Sequence, residues 1–313
     1  MTAASIKFSL GIPLGVIAPA GDFQSQQAAA QMGRALESVG AAAGYVTDHP
    51  APLASWLHAH GHDATDPFTS LSFVAAATTT LRLHTNVIVL PYRNPFITAK
   101  AAATLQVFSG GRLILGVGAG YQQGEFEALG VDFTKRDVMT EEALETMKLA
   151  WSGGAVVKRG RYFNASGNEP RPVPQPLPTI WVGGGSDRAV ERAAKWGDGW
   201  SPFFTAPTLS PINQALAVRS HEHLAEKIRL LNELRAKLGK SGPFDICIGP
   251  RVPIKAMDRT EAERYLEAVH QLGQIGVNWI TTDLPHPSRT AYLEAVHWFA
   301  QEVMNRLRQG SRG

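Results

Sequence analysis

The chain has 313 residues, of which 44% are hydrophobic and 18% charged, and its formal net charge is +3. This length suits one α/β barrel or two smaller domains, and the scattered Lys and Arg residues form no basic stripe of the kind that binds nucleic acid. The single cysteine, Cys247, lies in an apolar run and has no partner for an internal disulfide, which favours a reducing compartment.

The N-terminal residues lack the apolar run and cleavage site of a signal peptide, and no apolar stretch reaches the roughly 20 residues of a membrane helix. We therefore expect a cytoplasmic protein that does not bind a membrane. The last residues, about 307–313, are polar and glycine-rich, and they predict a frayed tail.

Strands and helices alternate along the chain. Apolar runs predict eight strands, at residues 6–12, 44–47, 81–90, 112–117, 179–182, 199–201, 244–254 and 277–282. Helices are predicted between them, at residues 25–39, 66–79, 94–108, from 123, 137–151, 186–196, 211–238, 260–273 and 288–306. This alternation predicts one (β/α)8 barrel over residues 1–313, an α/β fold, and the alternative is an open doubly wound sheet.

Residues 153–178 break the alternation because they are rich in Gly, Pro, Arg and Asn and only weakly periodic. We interpret them as an insertion after the fourth helix of the barrel, with a short hairpin around residues 156–163. Insertions of this length usually cover a functional site, so a lid is expected.

The fourth predicted strand is apolar on both faces, as strands of a covered parallel sheet are. It runs into Gly118-Ala119-Gly120-Tyr121, whose small residues let the backbone turn and let a flat ligand approach. The alternative is a tight turn without a ligand. The segment does not complete the dinucleotide-binding fingerprint, because Tyr121 occupies its last glycine position.

A second glycine-rich loop, Gly183-Gly184-Gly185-Ser186, lies between the fifth strand and a helix. Its exposed backbone N–H groups, the helix dipole and the Ser186 hydroxyl suit a phosphate. The alternative is a flexible turn with Ser186 as the helix N-cap.

His49 follows Asp48 at the end of the second strand, where a histidine can act as an acid or base near neutral pH, or bind a loop carbonyl as a structural residue. Residues 58–63, His-Ala-His-Gly-His-Asp, resemble a metal cluster. A metal-dependent hydrolase barrel would also need histidines at the ends of strands five and six, and these are missing although Asp283 is well placed. We interpret residues 58–63 as a solvated loop and predict no metal site.

Several motifs, in this order and spacing, resemble the luciferase-like monooxygenase superfamily, and most closely its branch of coenzyme F420-dependent oxidoreductases. They are YVTDH at 45–49, LHTNVIVLPYRNP at 83–95, SGGRLILGVGAGY at 109–121, EFEALG at 125–130, IWVGG at 180–184 and GDGW at 197–200.

The resemblance implies a barrel with an insertion after its fourth helix, a homodimer, and a deazaflavin (F420) or, alternatively, FMN across the barrel mouth. It implies a non-proline cis peptide at Asn86–Val87, under the flavin ring. The residues it places at the cofactor are Asp48, Thr85, Asn86, Val87, Gly118, Ala119, Gly120 and Tyr121 at the ring and ribityl chain, and Gly183, Gly184, Gly185 and Ser186 at the phosphate.

In the sugar-phosphate dehydrogenases of this family the proton is handled by a histidine matching His49 and by a glutamate just after the fourth strand. Here Tyr121 occupies that glutamate position, and Glu125 matches a downstream helical acid. The resemblance therefore implies His49 or Tyr121 as the catalytic acid, and it does not carry over a sugar-phosphate substrate.

Four functions follow as hypotheses. The first is an oxidoreductase that transfers a hydride between F420 and a small apolar or carbonyl-type molecule. The second is an FMN-dependent monooxygenase of the same superfamily. The others are a non-catalytic flavin-binding protein and a metal-dependent hydrolase.

Overall fold

A computed structural model describes residues 6–17, 22–59, 61–205 and 217–310. The first six residues of the predicted helix at 211–238 fall outside these residues, as do the last three residues of the predicted tail.

Eight parallel strands form one sheet, and they confirm the predicted (β/α)8 barrel. The barrel strands are β1 (Lys7–Gly11), β2 (Ala43–Val46), β3 (Arg82–Val89), β4 (Leu113–Gly118), β7 (Thr179–Gly183), β8 (Gly199–Ser201), β9 (Asp245–Ile246) and β10 (Trp279–Thr282). Their order in space is β10-β1-β2-β3-β4-β7-β8-β9. The sheet closes where Cys247 bridges to Trp279 in parallel register, next to a hydrogen bond of 3.1 Å from Asn278 N to Ile246 O.

Helices cover the outside of the barrel. They are α1 (Gln26–Ser38), α2 (Ala54–Ala59), α3 (Pro67–Ala77), α4 (Pro95–Phe108), α5 (Gln123–Ala128), α6 (Arg136–Ala150), α7 (Asp187–Trp196), α8 (His221–Lys237), α9 (Arg259–Ile275), α10 (Arg289–Phe299) and α11 (Asn305–Gly310), with a π-helical turn at Ala300–Met304. Local sequence sets several starts: Asp66 and Asn94 accept hydrogen bonds from first-turn N–H groups, and each precedes a proline that needs no such bond. None of the helices in the described ranges is long and apolar enough to span a membrane.

The inside of the barrel is filled near the end where the strands begin. Ala43, Ile114, Trp181, Cys247 and Trp279 pack together there and are fully or almost fully buried. Every residue of β4 is buried as well, because it faces either this interior or the helices. The interior is open at the opposite end, where the strands finish.

Two predicted elements differ from the structure, and one helix in the structure was not predicted. The helix predicted from residue 211 begins at His221, because Ser220 caps it and accepts a hydrogen bond from His223 N. The strand predicted over 244–254 is limited to β9, since Gly249, Pro250 and Pro253 interrupt the ladder. The short helix α2 was not predicted, because its six residues give too little periodicity.

The insertion contains the predicted hairpin, formed by antiparallel β5 (Val156–Arg159) and β6 (Asn164–Asn168). Glu142 on α6 accepts hydrogen bonds of 2.8–3.1 Å from the backbone N–H groups of Tyr162 and Phe163. Gln106 on α4 donates to the carbonyls of Pro176 and Leu177. The insertion is therefore fastened to the side of the barrel. The expected lid is wrong, because no residue of 153–178 lines the cavity at the strand ends.

Candidate active site

A cavity of about 680 Å³ opens where the strands end. Most of the predicted site residues line it: Asp48, His49, Asn86, Val87, Gly118, Ala119, Gly120, Tyr121, Gly183, Gly184 and Ser186. The loops after β8 and β9 complete the wall with mainly apolar residues, among them Phe203, Phe204, Pro250, Val252 and Ile254.

Two predicted residues lie behind the wall. Thr85 is fully buried, and its hydroxyl donates to the carbonyl of Gly116 at 2.9 Å. Gly185 packs so closely on the chain at Ala217 and Val218 that an added Cβ would lie 2.9 Å from Val218 N. Neither Thr85 nor Gly185 lines the cavity, so both support residues of its wall, and their predicted contact with a cofactor stays a prediction.

The end of β3 carries a cis peptide bond between Asn86 and Val87, as the resemblance implied. The pairing of β3 with β4 shifts register between Thr85 and Ile88, so the strand bulges at this point. Val87 then lies against Gly118 and Gly183, where an added Cβ would be 2.9 Å and 3.3 Å from its methyl groups. These two glycines leave room for the bulge and for a flat ligand above it.

A polar end of the cavity is built around the start of α7. Gly184 adopts a φ of +102°, and Ser186 caps the helix by accepting a hydrogen bond from Ala189 N at 3.3 Å. Arg192, on the same helix, has a side chain only 2% exposed, and its guanidinium donates to Asp137 at 3.0 Å and to Glu141 at 3.1 Å. The backbone N–H groups at this helix start and the helix dipole favour an anion, whereas the Arg192 guanidinium is already paired with Asp137 and Glu141.

Sequence reasoning missed Arg192, which the helical repeat of α7 brings back to the cavity. Arg136, the first residue of α6, also lines the polar end and was missed. The signal available was modest: Arg192 lies three residues after Ala189, which also lines the cavity, and residues three apart share a helix face.

His49 lies just after β2, in a different part of the cavity wall from the start of α7. Its Nδ1 is 3.0 Å from Oε2 of Glu125, whose side chain is completely buried. Glu125 also accepts hydrogen bonds from the Tyr92 hydroxyl at 3.1 Å and from Ala51 N at 3.2 Å. Because a carboxylate only accepts, the His49 Nδ1 is the donor, and the ring keeps Nε2 available to the cavity that it lines.

Aromatic rings surround His49. The ring centroids of Trp56, His62 and Tyr121 lie 4.6 Å, 5.0 Å and 6.0 Å from that of His49. Burial, aided by the charge of Glu125, raises the pKa of Tyr121 to about 12. Tyr121 therefore keeps its proton at neutral pH and can donate a hydrogen bond.

The histidine-rich segment is more ordered than the predicted loop. His58 belongs to α2, and His62 reaches the cavity mouth, where its Nε2 is 3.1 Å from the Thr47 hydroxyl. His62 remains exposed, but the protein around the ring partly desolvates it and lowers its pKa, and the neighbouring His49 lowers it further. His60 is outside the described residues, and among those described no group of three or more metal-ligating side chains is present.

Asp48 lines the cavity, but its carboxylate is bound to protein. Both oxygens accept hydrogen bonds from the Arg93 guanidinium, at 2.6 Å and 2.7 Å, and one also accepts from Val89 N at 3.1 Å. Asp48 therefore ties the end of β2 to the turn after β3, and it brings no unpaired charge to the cavity.

A sequence model of the luciferase-like monooxygenase family matches residues 12–312. The chain belongs to this family. A curated relative, a phthiodiolone/phenolphthiodiolone dimycocerosates ketoreductase of Mycobacterium tuberculosis, is 32% identical over 235 residues, which are 71% of this chain. The match spans only 57% of that relative's own length.

Solved structures show the same fold at low sequence identity. A monooxygenase, RslO1, from Streptomyces bottropensis has a TM-score of 0.75 at 19% identity and covers 96% of this chain and 99% of its own. An F420-dependent secondary alcohol dehydrogenase, solved with an F420-acetone adduct, also has a TM-score of 0.75, at 17% identity, and covers 95% and 98%. These likenesses confirm the luciferase-like barrel.

The residues of this luciferase-like chain fit a phosphate-bearing flavin or deazaflavin. The fit rests on the bulge at Val87, on the two glycines that give it room, and on the anion-binding end at Gly184 and Ser186, all of which line one cavity.

Proposed function

We propose that this protein is an F420-dependent oxidoreductase that transfers a hydride between the deazaflavin and the carbonyl or carbinol carbon of a small organic molecule. The observation that carries the proposal is the histidine held by a buried carboxylate, His49 on Glu125, in the wall of the cavity. The curated relative named for ketone reduction supports the same reaction class.

In this proposal Gly183, Gly184 and Ser186 bind the phosphate through N–H and hydroxyl groups at the positive end of the α7 dipole, and Arg192 neutralises Asp137 beside them. Val87 and the segment from Gly118 to Tyr121 hold the ring. When bound, the deazaflavin supplies or accepts the hydride, so the protein has to orient the substrate and move a proton.

The proton is handled at Nε2 of His49. In the direction of reduction, His49 donates this proton to the substrate oxygen, while the carbonyl carbon receives the hydride. Glu125 stabilises the charged ring before the transfer, and it fixes the ring orientation through Nδ1. Tyr121, which stays protonated, is the second candidate for a hydrogen bond to that oxygen.

The test is equilibrium binding of F420 and of FMN to the same purified protein, followed by fluorescence quenching. Tight binding of F420 with weak binding of FMN, and oxidation of reduced F420 with a simple ketone, is the expected result. Preferential FMN binding with substrate-dependent oxygen consumption would instead indicate a monooxygenase. Tight cofactor binding without turnover of a broad ketone panel would indicate a non-catalytic binder.

We further propose, from the family resemblance, that the protein works in the cytoplasm as a homodimer. Light scattering coupled to size-exclusion chromatography measures the oligomeric state directly. A monomer mass at micromolar concentration would contradict the homodimer.

A further inference from the structure

Three carboxylates line the cavity, and two of them are neutralised by arginine. Asp48 is bound to Arg93, and Asp137 is bound to Arg192. The third, Asp283, accepts one hydrogen bond, from the Tyr45 hydroxyl to Oδ1 at 2.6 Å. In the described parts of the chain no Lys, Arg or His nitrogen forms an ion pair with Asp283.

Asp283 is placed on the same side of the barrel as His49. It follows β10, which pairs with β1, and an added Cβ on Gly11 at the end of β1 would lie 2.4 Å from its Oδ1. Its hydrogen-bond donor, Tyr45, belongs to β2, the strand that leads directly to His49. The carboxylate and the histidine therefore face the part of the cavity between β10 and β2, away from the anion-binding end after β7.

The neighbouring wall brings the Arg251 guanidinium to the cavity, but among the described residues this group forms no ion pair with Asp283. The loop after β9 packs on β10 through Gly249 and Thr281 and continues with Pro250, Val252 and Ile254 along the cavity. Arg251 in that loop donates to the carbonyl of Arg219 at 3.0 Å. His62 at the mouth has a lowered pKa and is therefore neutral near pH 7.

A carboxylate facing an apolar cavity favours a ligand that brings a positive charge or a hydrogen-bond donor, and it disfavours a second anion. Asp283 also affects Tyr45, because burial and then the charge of Asp283 raise the pKa of the Tyr45 hydroxyl.

We propose that Asp283 is a substrate-binding residue that recognises an ammonium or hydroxyl group on an otherwise apolar substrate and selects against carboxylates. The inference rests on the proposed function for the division of the cavity into a cofactor part and a substrate part. It names the substrate class as amino or hydroxy carbonyl compounds, or the corresponding alcohols, with an apolar body.

The experiment measures the affinity of three probes that share one ring: cyclohexylamine, cyclohexanol and cyclohexanecarboxylate. Dissociation constants are taken from ligand-observed NMR, with and without saturating F420. We expect the amine to bind tightest and the carboxylate weakest. Asp283→Asn is expected to weaken the amine about tenfold and to strengthen the carboxylate, because the repulsive charge is gone.

Two further variants make the test specific. Asp63→Asn is the matched control, because it removes the same charge from an exposed residue near His62 that does not line the cavity. Tyr45→Phe removes the hydrogen bond to Asp283 and keeps its charge, so the preference for the amine is expected to persist.

The inference is overturned if the carboxylate binds the unmodified protein as well as the amine does, if none of the probes binds, or if Asp283→Asn leaves the amine-to-carboxylate ratio unchanged. These results are separate from the fate of the proposed function. A protein that binds and turns over F420 without charge selectivity keeps the function and loses this inference. If charge selectivity depends on Asp283 but F420 does not bind, this inference is kept and the proposed function is lost.

Discussion

The barrel contains two histidines in contrasting surroundings, one at its open end and one in its filled interior. His49, at the open end, donates from Nδ1 to the buried carboxylate of Glu125. His84, inside the barrel, has its Nδ1 3.0 Å from the Ser9 hydroxyl, and its Nε2 has no hydrogen-bond partner among the described residues. Burial lowers the pKa of His84 to about 3, with a smaller contribution from Arg82.

The difference shows what a barrel needs for proton chemistry. A buried ring without an anionic partner stays neutral and serves packing, whereas a carboxylate behind the ring permits it to carry a proton. The same strands therefore support a site where they end and a core where they begin. Changes at the open end are expected to alter binding or turnover, and changes in the interior are expected to alter stability.

The largest effect is expected at the anion-binding end. Gly184→Asp places a carboxylate where a phosphate is proposed to bind, and we expect F420 affinity to fall at least a hundredfold, about 2.7 kcal/mol. The φ of +102° at Gly184 strains any replacement, so Gly184→Ala, with the same strain and no charge, is the control. Fluorescence titration measures both. Equal losses in the two variants would attribute the effect to strain, and no loss would remove the anion site.

His49→Ala is expected to lower turnover about a hundredfold or more while F420 affinity changes less than about tenfold, because a general acid contributes to the rate rather than to cofactor binding. Steady-state kinetics with reduced F420 and a ketone, together with F420 titration, separates the two quantities. The matched control is His58→Ala, an exposed histidine on α2 that does not line the cavity. Turnover that survives in His49→Ala would assign His49 a structural role.

Glu125→Gln tests the carboxylate itself and is expected to lower kcat about tenfold with little change in KM. The amide keeps the size of the side chain but removes the charge that stabilises a protonated His49 ring. Tyr92→Phe deletes another hydrogen bond to the same carboxylate and leaves the contact with His49, so it should cost less. If Glu125→Gln keeps the kcat of the unmodified protein, the charge of Glu125 is not needed for turnover and the side chain acts by packing alone.

Much of the fold could be predicted because strand and helix signals are local. Asp66 and Asn94 before prolines, and the fully apolar β4, each indicate their element without tertiary information. The seventh strand could not be bounded, because its apolar residues continue past β9 into a loop whose apolar side chains face the cavity instead of a neighbouring strand.

The site could be predicted in outline for a different reason. The glycine-rich loops mark strand ends, and all strand ends of a barrel meet at one face. The sequence does not predict which ion pairs and hydrogen bonds the charged residues form with residues that are distant in the chain. Asp48 is bound to Arg93, whereas the hydrogen-bond donor to Asp283 among the described residues is Tyr45, and nothing local to either aspartate distinguishes them. The same applies to Glu125, whose contact with His49 joins α5 to the end of β2.

The smallest expected effect concerns the interior histidine and the pH dependence of stability. His84 is neutral in the folded protein down to about pH 3, whereas in the unfolded chain it takes up a proton below its ordinary pKa of 6.5. The unfolded state therefore binds more protons in this window, and the free energy of unfolding decreases as pH falls from 6.5 towards 3, by up to about 1.4 kcal/mol per pH unit from this group. Above pH 6.5 the contribution of His84 is constant.

Chemical denaturation at several pH values measures the slope, and His84→Gln should flatten it relative to His270→Gln, which changes an exposed histidine on α9. A slope unaffected by His84→Gln would mean that the interior ring takes up its proton without unfolding, and the contrast between the two histidines would then be lost.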